Sequence, residues 1–198
     1  MKTLLTAFCP FGGDKINPAE EAARGVKTPD TQLIILPVEY ETASRIAIRE
    51  IERFKPELVI CLGQAGGRTG VTPETTAVNL RSALSPDNAG RVCESEIIDP
   101  LAPERLMSSF DAAKIAERIS AGGIPSYISD GAGTYVCNDV MFCVLNHLKN
   151  TFVKAGFIHL PFCDEQKQAH PGAFTLSIET LTRAIEIAIE TVRNEYDT

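Results

Sequence analysis

The segment GAGTYVCND, Gly131 to Asp139, places one cysteine, Cys137, where an apolar run gives way to a helical pattern. A thiol there could pack in the core, form half of a disulfide, ligate a metal or act as a nucleophile. Nucleophilic chemistry needs a thiolate, and the positive end of a helix lowers the thiol pKa. Gly131 and Gly133 would allow a tight approach. The unpaired N–H groups of a first helical turn could hold an oxyanion. Position alone leaves core packing and nucleophilic chemistry both open. Cys143 lies nearly two turns further along the same expected helix, away from its end, and reads as core.

A nucleophilic cysteine needs a base, and only His147, His159 and His170 are available. His147 sits on the polar-to-apolar boundary of a helical stretch. His170 follows QKQA in a loop and reads as solvated. His159 ends the apolar run GFIHLPF, the next element after the Cys137 helix, and consecutive elements usually lie close together. A lone histidine in an apolar strand is more often a satisfied core residue; the neighbouring candidate nucleophile moves the reading towards a base. Glu74, in the loop after a central strand, is a candidate to orient the imidazole. The cysteines and histidines show no CxxC, HxH or HxxxH spacing, so no metal and no cofactor are expected. Neither FGGDKINP nor QAGGRTG matches GxGxxG or the P-loop, which leaves nucleotide binding little support.

The elements that must position these residues follow from periodicity. TLLTAF, QLIILPV, ELVICLG, IPSYISD and GFIHLPF read as strands, and TTAVNL as a shorter one. ETASRIAIREIERF, DAAKIAERISAGG, VCNDVMFCVLNHL and the stretch from Leu176 to Tyr196 read as amphipathic helices. Ser85 to Pro103 is expected to be an irregular surface excursion. Alternating strands and helices predict an α/β fold over residues 1–198 as one domain. It should be a three-layer α/β/α arrangement with a mostly parallel central sheet and helices on both faces. Ligands in such sheets sit beyond the carboxyl ends of the strands. That rule selects four loops: PFGGDKINP, QAGGRTGVTPE, DGAGTYVC and HLPFCDEQ.

Composition narrows the classes. The chain has 198 residues, 44% of them hydrophobic and 23% charged, in keeping with a globular domain that needs no staples. A net charge of −7 without a basic cluster argues against nucleic acid. No apolar run approaches the roughly 18 residues of a membrane span, and Pro10, Gly12 and Gly13 cut short the first apolar run, so a cytoplasmic location is expected. The six cysteines are scattered and are expected to be free thiols.

Four motifs, taken in order, resemble those of the pyroglutamyl peptidase I family of cysteine exopeptidases: AFCPFGGDKINP, GQAGGRTGVTPETTAVN, AGTYVCN and GFIHLPFCDEQ. Together they cover nearly the whole chain. The resemblance implies a triad of Glu74, Cys137 and His159, and removal of an N-terminal pyroglutamyl residue from peptides through a thioester. It implies a lactam pocket walled by Phe8, Phe11 and Tyr135, with Val136, Gln64 and Asn17 also on the substrate. A homo-oligomer, dimer or tetramer, is further implied. Two departures stand out. ALSPDN puts Leu84 and Ser85 where the family has Arg and Ile, and CNDVMF replaces C-N-H-L-F-Y. If that arginine supports the oxyanion, its absence implies a slower enzyme unless Arg68 or Arg81 substitutes. Competing readings are a cysteine amidase for another small acyl or cyclic group, and a non-catalytic binding protein on the same fold.

Overall fold

The computed structural model describes residues 1–196. Asp197 and Thr198, the last two residues of the expected 1–198 domain, lie outside the described residues. The chain opens with β1 (Thr3–Phe8), α1 (Pro18–Gly25), β2 (Thr31–Leu36), α2 (Thr42–Phe54) and β3 (Leu58–Gln64). Five short strands follow in the middle of the chain: β4 (Thr72–Pro73), β5 (Thr76–Val78), β6 (Arg81–Ala83), β7 (Cys93–Glu96) and β8 (Arg105–Met107). Then come α3 (Ala112–Ala121), α4 (Val136–Leu148), β9 (Lys154–Leu160), β10 (Phe162–Cys163), a single 3-10 turn, β11 (Thr175–Leu176) and α5 (Ile178–Tyr196).

The central sheet has the order β2-β1-β3-β9-β4. Its first four strands are parallel and β4 runs antiparallel to β9. The long strands are continuous apolar runs because helices cover both faces. Leu5, Leu58, Ile60, Leu62, Ile158 and Leu160 pack with α1, α3 and α5. Residues of the opposite parity, among them Leu4, Phe8, Val59, Cys61 and Phe157, pack with α2 and α4. This is the expected three-layer α/β/α arrangement. The two-residue period of a strand then puts His159, two residues beyond Phe157, on the α4 face of the sheet. Strand order reverses between β1 and β3, and the carboxyl ends of strands flanking such a reversal form a crevice.

Two expectations are corrected. IPSYISD is not a strand: it makes only the isolated bridges Val71–Ser126 and Glu74–Ser129. Pro125 has no N–H to donate, and β4 beside it is two residues long. Helix α1 was not expected from the sequence. Its start is nonetheless well specified, with Asn17 accepting a bond from Ala19 N at 3.0 Å, Pro18 in the first turn and Glu20 and Glu21 after it. The Ser85–Pro103 excursion is irregular apart from β7, which pairs antiparallel with β6.

Candidate active site

Cys137 lies in the first turn of α4, behind an extended N-cap at Tyr135. The turn is held from below by its own next two residues. Asn138 is fully buried: its Oδ1 accepts from Val78 N at 2.9 Å, and its Nδ2 donates to Val78 O at 2.8 Å and Leu80 O at 3.0 Å. Asp139, also fully buried, accepts from Arg81 Nε at 2.7 Å, Glu41 N at 3.1 Å and Ser44 Oγ at 3.1 Å. These bonds tie α4 to α2 and to the 78–81 segment. The thiol itself rests over the β3–β9 strand pair. A Cβ added to Gly63 would come within 3.1 Å of Cys137 Sγ and 2.8 Å of the Phe157 ring, so glycine is required there. Gly63 is also the register partner of His159.

Glu74 and His159 are brought together by β4 and β9. His159 Nδ1 lies 2.6 Å from Glu74 Oε1, and both side chains are buried. Arg68 Nη1 reaches the same oxygen at 2.7 Å and also donates to Thr72 Oγ1. Glu74 Oε1 accepts from both Arg68 and His159, so Nδ1 of His159 carries the donated hydrogen. Nε2 then keeps its lone pair and can take a proton. Glu74 Oε2 has no hydrogen-bond partner among the described residues.

Burial dominates the electrostatics. It pushes the Cys137 thiol up to about 12, reinforced by the nearby Glu74 charge and opposed by the local backbone N–H and Arg68. The helix start was expected to lower this pKa; desolvation outweighs it. Burial also lowers His159 below its ordinary 6.5, against the pull of Glu74. Both shifts disfavour a thiolate–imidazolium pair, because burial penalises the charged forms.

Phe8, Phe11, Val38, Gln64, Ala132, Tyr135, Val136, Cys137 and His159 line one cavity of about 170 Å³. Seven of them were singled out from the sequence, while Val38 and Ala132 were not. The Tyr135 ring meets Tyr40 edge-on at 5.6 Å and Phe11 at 6.5 Å, and its hydroxyl donates to Pro86 O at 2.9 Å. Glu74 stands behind His159, outside the lining. Asn17 is not among the residues that line this cavity. It is fully buried, caps α1, and donates from Nδ2 to Cys9 O at 3.2 Å, so its side chain shapes the loop that carries Phe11. Leu84 is 90% exposed. Arg68 and Arg81 are each committed to a buried carboxylate, Glu74 and Asp139.

Sequence reasoning missed Asp14 and Gln166, which bond the amide of Gln64. It also read His170 as solvated, whereas its Nε2 lies 2.7 Å from Asp14 Oδ1 and its ring stacks on Phe162 at 3.8 Å. Two motif loops that hold a strand-end glutamine between them were the available signal. Among the described residues, no group of three or more His, Cys, Asp or Glu side chains is arranged to hold a metal ion, and none of the helices is long and apolar enough to cross a membrane.

The pyroglutamyl peptidase family model matches residues 1–195. A pyrrolidone-carboxylate peptidase of Pyrococcus furiosus is 39% identical over 96% of this chain and 99% of its own. One of Photorhabdus laumondii is 38% identical over 96% of this chain and 92% of its own. The crystal structure of Bacillus amyloliquefaciens pyroglutamyl peptidase I superposes with a TM-score of 0.92 at 33% identity, covering 98% of this chain and 97% of the other. Match length, identity and fold agree, and the chain belongs to the pyroglutamyl peptidase family.

Proposed function

We propose that Cys137, His159 and Glu74 remove an N-terminal pyroglutamyl residue from peptides, with Cys137 as nucleophile. The observation that carries the assignment is the 2.6 Å bond from His159 to Glu74, behind a cavity that the imidazole and the Cys137 thiol both line. The walls of that cavity are mainly aromatic and aliphatic, with Gln64 as a polar group. That suits a flat, uncharged lactam ring, as the names of the relatives suggest.

The thiol passes its proton to Nε2 of His159 as Sγ bonds to the pyroglutamyl carbonyl carbon. Glu74 stabilises the imidazolium through Nδ1–H. Charge collects on the carbonyl oxygen, where N–H groups of the first turn of α4 can meet it. Collapse breaks the C–N bond, and the departing amine takes the proton from His159. Water then attacks the thioester and gives a proton to His159. The C–S bond breaks, the thiol is restored, and pyroglutamate leaves. Because the ion pair is disfavoured at rest, proton transfer and attack are coupled.

Hydrolysis of a pyroglutamyl reporter amide tests the assignment. Cys137→Ala should abolish turnover, while Cys143→Ala and Cys163→Ala keep most of it. Full activity in Cys137→Ala would remove the nucleophile from this reading. The same reading takes residues 1–198 as one domain, acting on pyroglutamyl peptides in the cytoplasm as a homo-oligomer, a dimer or tetramer.

A further inference from the structure

Gln64 ends β3 at the wall of the cavity, and its amide is fixed from behind by a chain of hydrogen bonds that begins at a backbone donor. Cys163 N donates to Gln166 Oε1 at 3.1 Å. A backbone N–H cannot change into an acceptor, so the orientation of Gln166 is set and its Nε2 must face the other way. That nitrogen donates to Gln64 Oε1 at 3.1 Å and to Asp14 Oδ2 at 3.1 Å. Asp14 Oδ2 also accepts from Gln64 Nε2 at 3.1 Å, which closes a small ring on one edge of the Gln64 amide. The other oxygen of Asp14 lies 2.7 Å from His170 Nε2, and the His170 ring stacks on Phe162 at an interplanar angle of 11°. Phe162 is itself pressed onto the QAGGR loop: a Cβ at Gly66 would fall 2.0 Å from its ring. Neither of the two amides can turn over without setting donor against donor or acceptor against acceptor, because the Cys163 N–H can only donate and the Asp14 carboxylate accepts equally well through either oxygen.

We infer that Asp14 and Gln166 are specificity-determining positioning residues, which lock the Gln64 amide in one orientation so that it reads the polar atoms of the substrate ring. The inference rests on the proposed pyroglutamyl activity. A side-chain amide that can flip offers donor and acceptor interchangeably and discriminates poorly. A locked one presents each at a fixed place. A lactam ring carries a fixed N–H and C=O, whereas a prolyl ring lacks the carbonyl, and a site built to hydrogen-bond a group rejects the analogue without it. Asp14 touches no reacting atom in this scheme and acts through Gln64.

The test compares a pyroglutamyl and a prolyl reporter amide on wild type, Asp14→Leu, Gln166→Met and Asp14→Glu. Unlocking the amide should raise KM for the pyroglutamyl reporter about tenfold, with kcat within about threefold, because one oriented hydrogen bond is lost and the triad is untouched. The preference for pyroglutamyl over prolyl should fall by a similar factor. Asp14→Glu keeps a carboxylate acceptor and should recover most of the KM. Alkylation of Cys137 should proceed at the wild-type rate in all of them. KM and selectivity unchanged in a folded Asp14→Leu or Gln166→Met would overturn the inference and leave the proposed activity standing. Equal falls in kcat and alkylation rate would show a merely structural role and also overturn it. If Asp14→Leu does not fold, Gln166→Met decides. A wild type that hydrolyses neither reporter overturns the activity, and the inference with it.

Discussion

Glu74 reaches His159 diagonally across the β4–β9 strand pair. Thr72 is the register partner of His159, and Glu74 N donates to Phe157 O at 2.9 Å. Side chains two residues apart share a face of a strand, so Glu74 and His159 become diagonal neighbours and close to 2.6 Å. The antiparallel edge strand, the one exception in a parallel sheet, is thus what delivers the carboxylate to the imidazole.

Arg68 completes this relationship, and its removal should be felt in turnover. Arg68→Met leaves a fully buried carboxylate whose second oxygen already lacks a partner. Without Arg68 to hold Glu74 in place, His159 loses the partner that fixes its tautomer and supports its imidazolium. We expect kcat/KM on the pyroglutamyl reporter to fall about 10²-fold, at the lower end of the contribution of a positioned acid–base group. Arg68→Lys should recover part of the loss, since it restores charge without the planar geometry. Wild-type kcat/KM in Arg68→Met would show that the His159–Glu74 bond alone is sufficient.

The pH dependence follows from the directions in which burial moves Cys137 and His159. His159 acts as a base only when unprotonated, and burial holds its pKa below 6.5. The acid limb of kcat/KM should therefore lie below about pH 6.5. Cys137, pushed up to about 12, does not titrate at neutrality, so the profile should be flat from about pH 7 to about 10. A preformed thiolate–imidazolium pair would instead lose activity as the imidazolium deprotonates within that range. The linkage has the same sign for stability. An unfolded chain binds a proton at His159 near pH 6.5 and the folded chain only at lower pH. This contribution is then complete above pH 6.5 and is lost as pH falls. Profiles of kcat/KM and of iodoacetamide alkylation against pH are the measurements.

Asp139 should matter for stability more than for chemistry. It is fully buried and takes the guanidinium of Arg81, itself almost buried, together with the N–H of Glu41, the residue just before α2. Asp139→Ala leaves Arg81 with only the exposed Glu41 as an ionic partner. Removing one member of a buried ion pair costs about 3–5 kcal/mol, which for a domain of this size lowers Tm by roughly 10 °C. Asp139→Asn keeps the shape and one acceptor and should lose less. Calorimetry that finds Asp139→Ala within about 2 °C of wild type would show that Arg81 finds another partner.

Cys137 and His159 were legible because each sits at the end of a strongly periodic element, and α4 occupies the residues its apolar spacing indicated. The β3 and β9 strands were legible as uninterrupted apolar runs for the same reason. Glu74 could be named only as one carboxylate in a loop, because its position depends on a two-residue antiparallel strand too short to leave a pattern. An asparagine before proline can serve a ligand or a helix cap equally well, and here the Oδ1 of Asn17 caps α1 while its Nδ2 bonds Cys9 O. Asp14 lies in the loop after β1, whereas Gln166 and His170 lie in the connection between β10 and β11. Only the fold brings residues 150 or more apart in the chain into one hydrogen-bond chain.

Leu84 offers a gain-of-function test. Residues 82 to 86 run beside the mouth of the cavity: Ser82 N donates to Thr134 O at 2.9 Å, and Tyr135 donates to Pro86 O. Leu84 lies between these ties and is almost fully exposed, so replacing it removes little packing. The resemblance implies an arginine at this place, and two cations that could take its part, Arg68 and Arg81, are held by Glu74 and Asp139. On that reading the oxyanion would be left to backbone N–H groups. A missing oxyanion donor typically costs about 10²–10³ in rate. Leu84→Arg should raise kcat, with little change in KM because the interaction forms as charge develops on the carbonyl oxygen. An exposed long side chain loses rotamer freedom when it docks, so the gain should be smaller than that full range, about tenfold. Stability should stay within about 0.5 kcal/mol, as for other surface substitutions. If kcat is unchanged in the folded variant, residue 84 does not reach the reacting carbonyl, and the first turn of α4 meets the developing charge without help from this loop.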